Sequence, residues 1–286
     1  MLRPRRASLA ATMAALLMAA AGCASTSQAD NLDASGACAK DQLRLVTHGV
    51  LTIATDSPAY EPWYRNDDPA DGQGYEAAVA YAIAADLGFR RDEVKWVKQA
   101  FNDSYKPGRK KFDFDINQIS ITPDRAKNVT FSDGYYTVNQ AVVALKSSQI
   151  ANVTTIGQLR QSRLGTQVGT TSLTFIKDVV KPLIAPIVYS TTDEAKRAMA
   201  AGQLDGIVTD LPSAFYLTAV EIDNSKIVGQ FEPQGGSLEQ FGLLFEKGNP
   251  LVGCVNQALT ELRSTGELQR LDDTWLADSA GAPRLG

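Results

Sequence analysis

The sequence predicts an α/β protein of two lobes that are joined by two strands. Strand-like and helix-like segments alternate along both halves of the 286 residues, an order that builds sheets with crossover helices. Two apolar strand-like runs, 141–145 and 241–245, bracket the middle of the chain. The middle block can therefore form a second lobe inserted into the first, and the two runs that cross between the lobes would act as a hinge.

The first half opens with a β-rich segment at 50–55, which a turn at Asp56-Ser57-Pro58 ends. A helix follows over 74–87, because apolar residues recur there at helical spacing and Gly88 provides a C-terminal cap. Further strands are predicted over three segments: 93–98, 112–119 and 135–145.

The second half repeats this alternation. Its clearest strand is the apolar run 206–209, which ends at Asp210, and its last helix is the amphipathic segment 251–263. The other predicted elements are a short helix at 155–161, a strand at 163–168 and helices at 171–181 and 193–201.

The N-terminus has the features of an export signal. Arginines precede an apolar run over 9–21, which is too short to span ~30 Å of hydrocarbon. The run ends in Ala20-Ala21-Gly22-Cys23, which resembles the bacterial lipobox, whose cysteine is acylated and becomes the first residue of the mature chain. The alternative is an ordinary cleavage site that contains a cysteine. The small and polar residues that follow, up to about 42, are expected to form a tether.

The composition argues against several classes of function. The 28 Lys and Arg do not exceed the 32 Asp and Glu, so the basic surface that nucleic acid requires is not expected. His48 is the single histidine and the three cysteines form no C-x-x-C pair, so we expect no metal site. The sequence also lacks phosphate-loop, dinucleotide, zinc-protease and nucleophile-elbow motifs, and no cofactor is expected. Catalysis by a pair of carboxylates is not excluded by the sequence.

The segment 116–125 is the most informative candidate for binding. A strand-like run ends in hydroxyl and amide side chains, and a turn at Pro123 then presents Arg125. This arrangement suits a bidentate grip on a small carboxylate by a cleft-facing arginine that packs little. The alternative is a helix N-cap at Thr122 followed by a surface arginine.

Residues 120–136 resemble the S-I-T-x-x-R…F-S-x-x-Y-Y signature of the family 3 extracellular solute-binding proteins, the polar amino-acid receptors of ABC importers. The resemblance extends from Leu51 to about Leu276. Its other landmarks are Ile53-Ala54-Thr55-Asp56, Tyr60-Glu61-Pro62-Trp63, Gly74-Tyr75-Glu76, Gly169-Thr170-Thr171, the segment 204–210 and the segment 256–275. One segment, 97–108, departs from the family pattern. The resemblance therefore does not indicate which of its side chains lines the binding site.

The resemblance implies a type II periplasmic-binding-protein-like fold, in which two mixed-sheet lobes are joined by two hinge strands. The domains expected from it are a signal peptide at 1–22, the tether at 23–42, lobe one at 43–143 plus 242–278, lobe two at 144–241 and a C-terminal tail at 279–286. The implied function is a substrate-binding lipoprotein that captures a free polar or cationic amino acid by lobe closure and delivers it to a membrane permease. A monomer on the outer face of the cell membrane is expected. The alternative is an exported cyclohexadienyl or arogenate dehydratase on the same fold, with Glu61 or Glu76 as the acid.

The matching positions also carry site roles. Arg125 is expected to hold the α-carboxylate of the ligand, beside Ser120 and the backbone near Gln118. Thr171 lies in the opposite lobe at the start of a helix, whose free N–H groups favour an anion. Asp210 is expected to accept from the α-ammonium, although the position also reads as a helix N-cap before Pro212.

Four further residues are expected around the ligand. Tyr60 would cover the ligand as an aromatic lid, with a core or hinge aromatic as the alternative. Asp56 and Gln167 would reach the side chain from opposite lobes, which favours a polar or cationic ligand. Phe101, in the segment that departs from the family pattern, is a further candidate for the wall of the site.

The odd number of cysteines is explained if Cys23 is acylated. Cys38 and Cys254 then form an even pair in an oxidising compartment. Because the resemblance places the first strand and the final helix in the same lobe, a disulfide between them is expected. The alternative is a buried apolar Cys254 and a free thiol at Cys38.

Overall fold

Two mixed β-sheets with helices on their faces form two lobes in this computed structural model, which describes residues 38–231, 238–276 and 282–286. The predicted signal peptide, Cys23 as the predicted acylation site and most of the predicted tether lie outside these residues. None of the described helices is both long and apolar enough to cross a membrane.

Lobe one contains a five-stranded sheet in the order β2-β1-β3-β10-β4. Strand β1 pairs in parallel with β2 and β3, whereas β10 runs antiparallel to β3 and β4. All residues of β1 are buried, as its apolar sequence predicts for a strand inside a covered sheet. The strands are β1 Leu51–Thr55, β2 Val94–Lys98, β3 Phe114–Asp115, β4 Val129–Val138 and β10 Glu239–Glu246.

Lobe two contains a six-stranded sheet in the order β11-β9-β5-β8-β6-β7. Strand β6 is parallel to β7 and β8, and β5 is antiparallel to β8 and β9. The strands are β5 Gln140–Leu145, β6 Leu164–Gln167, β7 Ile187–Tyr189, β8 Gly206–Asp210, β9 Ser225–Phe231 and β11 Arg284–Leu285.

Eight α-helices are present in the described residues. In lobe one, α1, α7 and α8 bury their apolar faces in one core with the sheet. Two lobe-two helices, α4 and α6, continue as π-helical turns over Ile176–Val180 and Leu217–Glu221. The helices are α1 Tyr75–Asp86, α2 Phe101–Ser104, α3 Pro123–Ala126, α4 Thr171–Phe175, α5 Thr192–Ala200, α6 Leu211–Tyr216, α7 Leu251–Ser264 and α8 Glu267–Trp275.

The chain crosses from lobe one to lobe two at Asn139, where one long predicted strand is in fact β4 followed by β5. The Asn139 carbonyl accepts from Leu211 N (2.9 Å), and the side-chain amide of Asn139 donates to Gln230 Oε1 (2.9 Å). Both partners belong to lobe two, so Asn139 interrupts the strand between β4 and β5. The crossing lies a few residues before the expected boundary at 143. The chain returns between β9 and β10, so the start of β10 at Glu239 already belongs to lobe one.

Two predicted segments differ in extent. The strand expected over 112–119 is only two residues long, because Gln118 adopts a left-handed φ of 46° that turns the chain away from the sheet. The segment expected as a C-terminal tail contains β11, which pairs in parallel with β9 and buries Leu285 in lobe two.

The predicted disulfide between Cys38 and Cys254 is present, with a Cα–Cα distance of 5.4 Å. It joins the start of the described chain to α7. The expected tether therefore ends at Cys38 and not at 42, because Lys40 also pairs with Glu93 (2.5 Å) and Leu43 is buried in the core of lobe one.

Reduction of this disulfide is expected to lower the free energy of unfolding, because the bond closes a sequence separation of 216 residues. Chain entropy sets the loss at about 5 kcal/mol or less. Thermal unfolding of the oxidised protein with and without dithiothreitol measures it. A Cys38→Ala/Cys254→Ala variant should have the melting temperature of the reduced protein, whether or not dithiothreitol is present. Equal melting temperatures for the oxidised and the reduced wild-type protein would contradict the expectation.

Candidate functional site

A cleft lies between the two lobes. Both lobes contribute, and lobe one presents the carboxyl ends of its parallel strands, the usual position of ligand sites in α/β sheets. Eight of the nine predicted binding residues line the cleft: Asp56, Tyr60, Phe101, Gln118 and Ser120 from lobe one, and Gln167, Thr171 and Asp210 from lobe two.

Asp56 follows β1 directly and organises one wall. Its carboxylate accepts from Ser57 N (2.7 Å) and from Phe101 N (3.1 Å), so it fixes the start of α2. The Phe101 ring thereby reaches the cleft, which answers the question about the segment that departs from the family pattern. Phe101 also packs edge-on against Tyr105, with ring centroids 5.7 Å apart.

Glu76 supports the lobe-one side of the cleft from inside the lobe. It is fully buried in the first turn of α1, and its carboxylate accepts from Gln118 N (2.6 Å), the Gln118 side-chain amide and the Tyr135 hydroxyl. Burial raises the pKa of Glu76 to about 7, although these three donors act in the opposite direction. Glu76 therefore positions Gln118 and does not face the cleft, whereas Glu61, the other acid considered for a dehydratase, lines it.

Arg125 does not line the cleft, and the expectation that it packs little is wrong. The residue is 7% exposed, and its guanidinium lies 5.3 and 4.8 Å from the ring centroids of Phe101 and Tyr105. Nη1 donates to Ser120 O (2.8 Å) and Nη2 donates across the cleft to Gly169 O (2.9 Å). Burial lowers the pKa of Arg125.

The helix N-cap that the alternative interpretation predicted at Thr122 is also present. The Thr122 hydroxyl accepts from Arg125 N (3.2 Å), so Thr122 caps α3 while Arg125 turns inward. One short helix thus fixes the backbone from which the guanidinium reaches Ser120 O.

The lobe-two wall starts at Gly169, Thr170 and Thr171. Thr170 caps α4 by accepting from Leu173 N (3.2 Å), which directs the Thr171 hydroxyl into the cleft, 3.3 Å from Ser120 Oγ of lobe one. Gln167 is engaged by Thr192, whose hydroxyl donates to Gln167 Oε1 (3.0 Å).

Asp210 ends β8 and caps α6, where its carboxylate accepts from Ser213 N (3.1 Å). The predicted cap and a position in the cleft are therefore both present. Burial raises the pKa of Asp210 to about 6, and the charge of Glu239 adds to this effect.

Two aromatic residues of the opening motif have different surroundings. Tyr60 lies at the edge of the cleft, with Lys196 Nζ 5.8 Å from its ring centroid, and burial followed by the charge of Asp193 raises its pKa. Trp63 is fully buried and donates from Nε1 to Ser213 Oγ of lobe two (3.0 Å). Trp63 thus packs between the lobes.

The close approach of the lobes requires a glycine at 169. Its φ is +77°, and an added Cβ would lie 2.1 Å from Asn102 Oδ1 and 2.4 Å from Tyr105 Oη, both on lobe one. A side chain here would be strained and would push α2 away from lobe two.

Glu239 is the residue that the sequence-based prediction missed. Its Oε1 accepts from Ser120 Oγ and from Thr171 Oγ1, both at 2.6 Å, and its Oε2 accepts from Gln140 Nε2 (3.1 Å). The only signal in the sequence was a carboxylate just before the apolar run 241–245, a position that the hinge strand brings to the cleft.

The charged side chains that line the cleft are acidic. Four carboxylates line it, and within the described residues no Lys or Arg does. The nearest cation at the rim, Lys196, is paired with Asp193 (2.5 Å) and with Glu221. The four carboxylates are those of Asp56, Glu61, Asp210 and Glu221.

The sequence matches the bacterial extracellular solute-binding proteins, family 3, over residues 51–278. The chain belongs to this family. Membership confirms the predicted resemblance, and it places the protein among exported proteins.

Two curated family members show the range of similarity. The chain is 26% identical over 277 residues to the ABC transporter glutamine-binding protein GlnH of Bacillus subtilis, covering 94% of this chain and 96% of that protein. It is 25% identical over 253 residues to the L-arginine-binding protein of Pseudomonas aeruginosa, covering 82% of this chain and 94% of that protein.

Solved structures confirm the two-lobe fold. An ancestral arginine-binding protein bound to glutamine aligns with a TM-score of 0.66 at 28% identity, covering 80% of this chain and 98% of that chain. An ancestral amino acid-binding protein described as a precursor of cyclohexadienyl dehydratase aligns with the same TM-score at 26% identity, covering 80% and 95%.

Stability is expected to be higher at pH 5 than at pH 8. The pKa of Glu76 rises from 4.5 to about 7 on folding, so the folded carboxyl group keeps its proton over this range and the cost of burying the charge appears as the pH rises. The shift corresponds to a loss on the order of 3 kcal/mol between pH 4.5 and pH 7. Asp210 shifts in the same direction.

Urea unfolding at pH 5, 6, 7 and 8 measures this slope. A Glu76→Gln variant should show a flatter profile, whatever its absolute stability, while the matched change Glu261→Gln at an exposed site on α7 should keep the wild-type slope. If Glu76→Gln and wild type gave parallel profiles, Glu76 would not be the titrating group.

Proposed function

We propose that this protein binds a free amino acid with a polar or cationic side chain, preferably a cationic one, by closure of its two lobes. The acidic cleft is the observation that carries the proposal. An amino acid with a cationic side chain has two positive charges and one negative charge, so it matches a cleft lined by four carboxylates. The names of relatives, which include arginine-, glutamine- and histidine-binding proteins, support this choice of ligand class.

The positions of Ser120, Thr171 and Asp210 in the cleft support their predicted roles, whereas Arg125 lies behind the cleft wall. Asp210 would accept from the α-ammonium, and the hydroxyls of Ser120 and Thr171 would donate to the α-carboxylate from opposite lobes. Arg125 would add positive charge behind them. A guanidinium has five N–H donors, of which the carbonyls of Ser120 and Gly169 take two.

The side chain of the ligand would extend along Asp56, with the Phe101 ring beside it. A cationic group near an aromatic face and a carboxylate gains from both. Since each lobe supplies only part of these contacts, full pairing of the ligand charges requires closure. A micromolar dissociation constant, about −8 kcal/mol, is within reach of such a site.

The protein would act as a monomeric lipoprotein, anchored through Cys23 on the outer face of the cell membrane, and would deliver its ligand to the permease of an ABC importer. These parts of the proposal rest on the lipobox-like segment and on the names of relatives that belong to ABC transporters. A binding protein is proposed over a dehydratase, because Glu76, one of the two acids considered, is buried and committed to Gln118 and Tyr135.

A thermal-shift screen of the twenty amino acids tests the ligand class, with arginine, lysine and histidine expected to stabilise the protein most. Asp210→Asn should weaken binding by about 30- to 150-fold, since a charge-assisted pair contributes about 2–3 kcal/mol. The matched change Asp86→Asn, at an exposed site on α1, should leave the affinity unchanged. Stabilisation by acidic amino acids alone would contradict the preference, and turnover of prephenate or arogenate without any amino-acid shift would overturn the binding function.

A further inference from the structure

Glu239 holds together groups from both lobes. It begins β10, the strand by which the chain returns to lobe one, and its side chain is half-buried. One carboxylate oxygen accepts from Ser120 Oγ of lobe one and Thr171 Oγ1 of lobe two, both at 2.6 Å. The other oxygen accepts from Gln140 Nε2 (3.1 Å), at the start of the first crossing strand β5.

The two hydroxyl donors, those of Ser120 and Thr171, are the groups that the proposed function assigns to the α-carboxylate of the ligand. Arg125 lies close enough for the charge of Glu239 to act on its guanidinium. The environment of the Glu239 carboxylate is therefore a complete carboxylate site, with two hydroxyls, one amide and a nearby buried cation. Two carboxylates cannot share these donors without losing hydrogen bonds and placing like charges a few ångströms apart.

We infer that Glu239 is a specificity-determining residue, an internal carboxylate that an incoming amino acid must displace from Ser120 and Thr171 before its own α-carboxylate can bind. The inference rests on the proposed function. Because Glu239 is only half-buried and its side chain has three rotatable bonds, it can leave the site without a change in the backbone.

Displacement has a consequence for selectivity. A ligand that keeps the cationic side chain and an amine but lacks the carboxylate does not compete with Glu239. Glu239 thus lowers the affinity for amino acids and leaves the affinity for the corresponding decarboxylated amines unchanged. It therefore reduces the difference in affinity between these two ligand classes.

Isothermal titration calorimetry with L-arginine and with agmatine, its decarboxylated form, tests the inference. Glu239→Gln keeps the size and an acceptor oxygen but removes the charge, so the affinity for L-arginine should rise about tenfold while that for agmatine stays within about twofold. The matched change Glu261→Gln should alter neither affinity. The readout is the ratio of the two affinities, which a change in general stability or in lobe closure would leave constant.

Two results would overturn the inference. An equal change in both affinities would show that Glu239 acts on closure and not on the carboxylate position, and a loss of L-arginine affinity alone would show that it helps to bind the ligand. Glu239→Ala provides a second variant, for which the ratio should shift in the same direction. If wild type bound none of the twenty amino acids, the proposed function itself would fail, whereas the results above leave it intact.

Discussion

The buried guanidinium of Arg125 is the interaction on which the geometry of the cleft depends. It donates to a carbonyl of lobe one and a carbonyl of lobe two, and two aromatic rings cover it. A buried cation is tolerated only where it is paired and hydrogen-bonded, so these contacts constrain what surrounds it. The carbonyl of Gly169, which adopts a φ of +77°, is one of these partners, and the charge of Glu239 acts on the guanidinium from nearby.

Much of the fold could be predicted from the sequence, because its longer elements are defined locally. Helix α1 has a regular apolar period and a glycine after it, and β1 is rich in β-branched and apolar residues, so both were placed within two residues. The crossing at Asn139 and the strand β11 were not predicted. Their structure depends on partners far away in the chain, such as Leu211 for Asn139 and β9 for β11, and no local pattern reports such pairing.

The candidate site shows the same division. Asp56, Ser120 and Asp210 were recognisable because they lie in motifs that resemble the family pattern; Asp56 and Asp210 also follow strand-like runs. The burial of Arg125 was not, since an arginine after a turn looks the same whether it faces solvent or a carbonyl of the other lobe. Glu239 was missed because a single carboxylate beside a strand is ordinary in sequence, and its meaning comes only from the two hydroxyls that converge on it.

The two ends of the described chain belong to different lobes. Cys38 is bonded to α7 of lobe one, while β11, at the C-terminus, is a strand of the lobe-two sheet. The ends of the described chain are therefore attached to the two lobes whose separation would change in the proposed closure. A pair of fluorophores, one attached near each end, would convert that movement into a distance signal without any label inside the cleft, so the protein has the connectivity of a single-chain optical sensor.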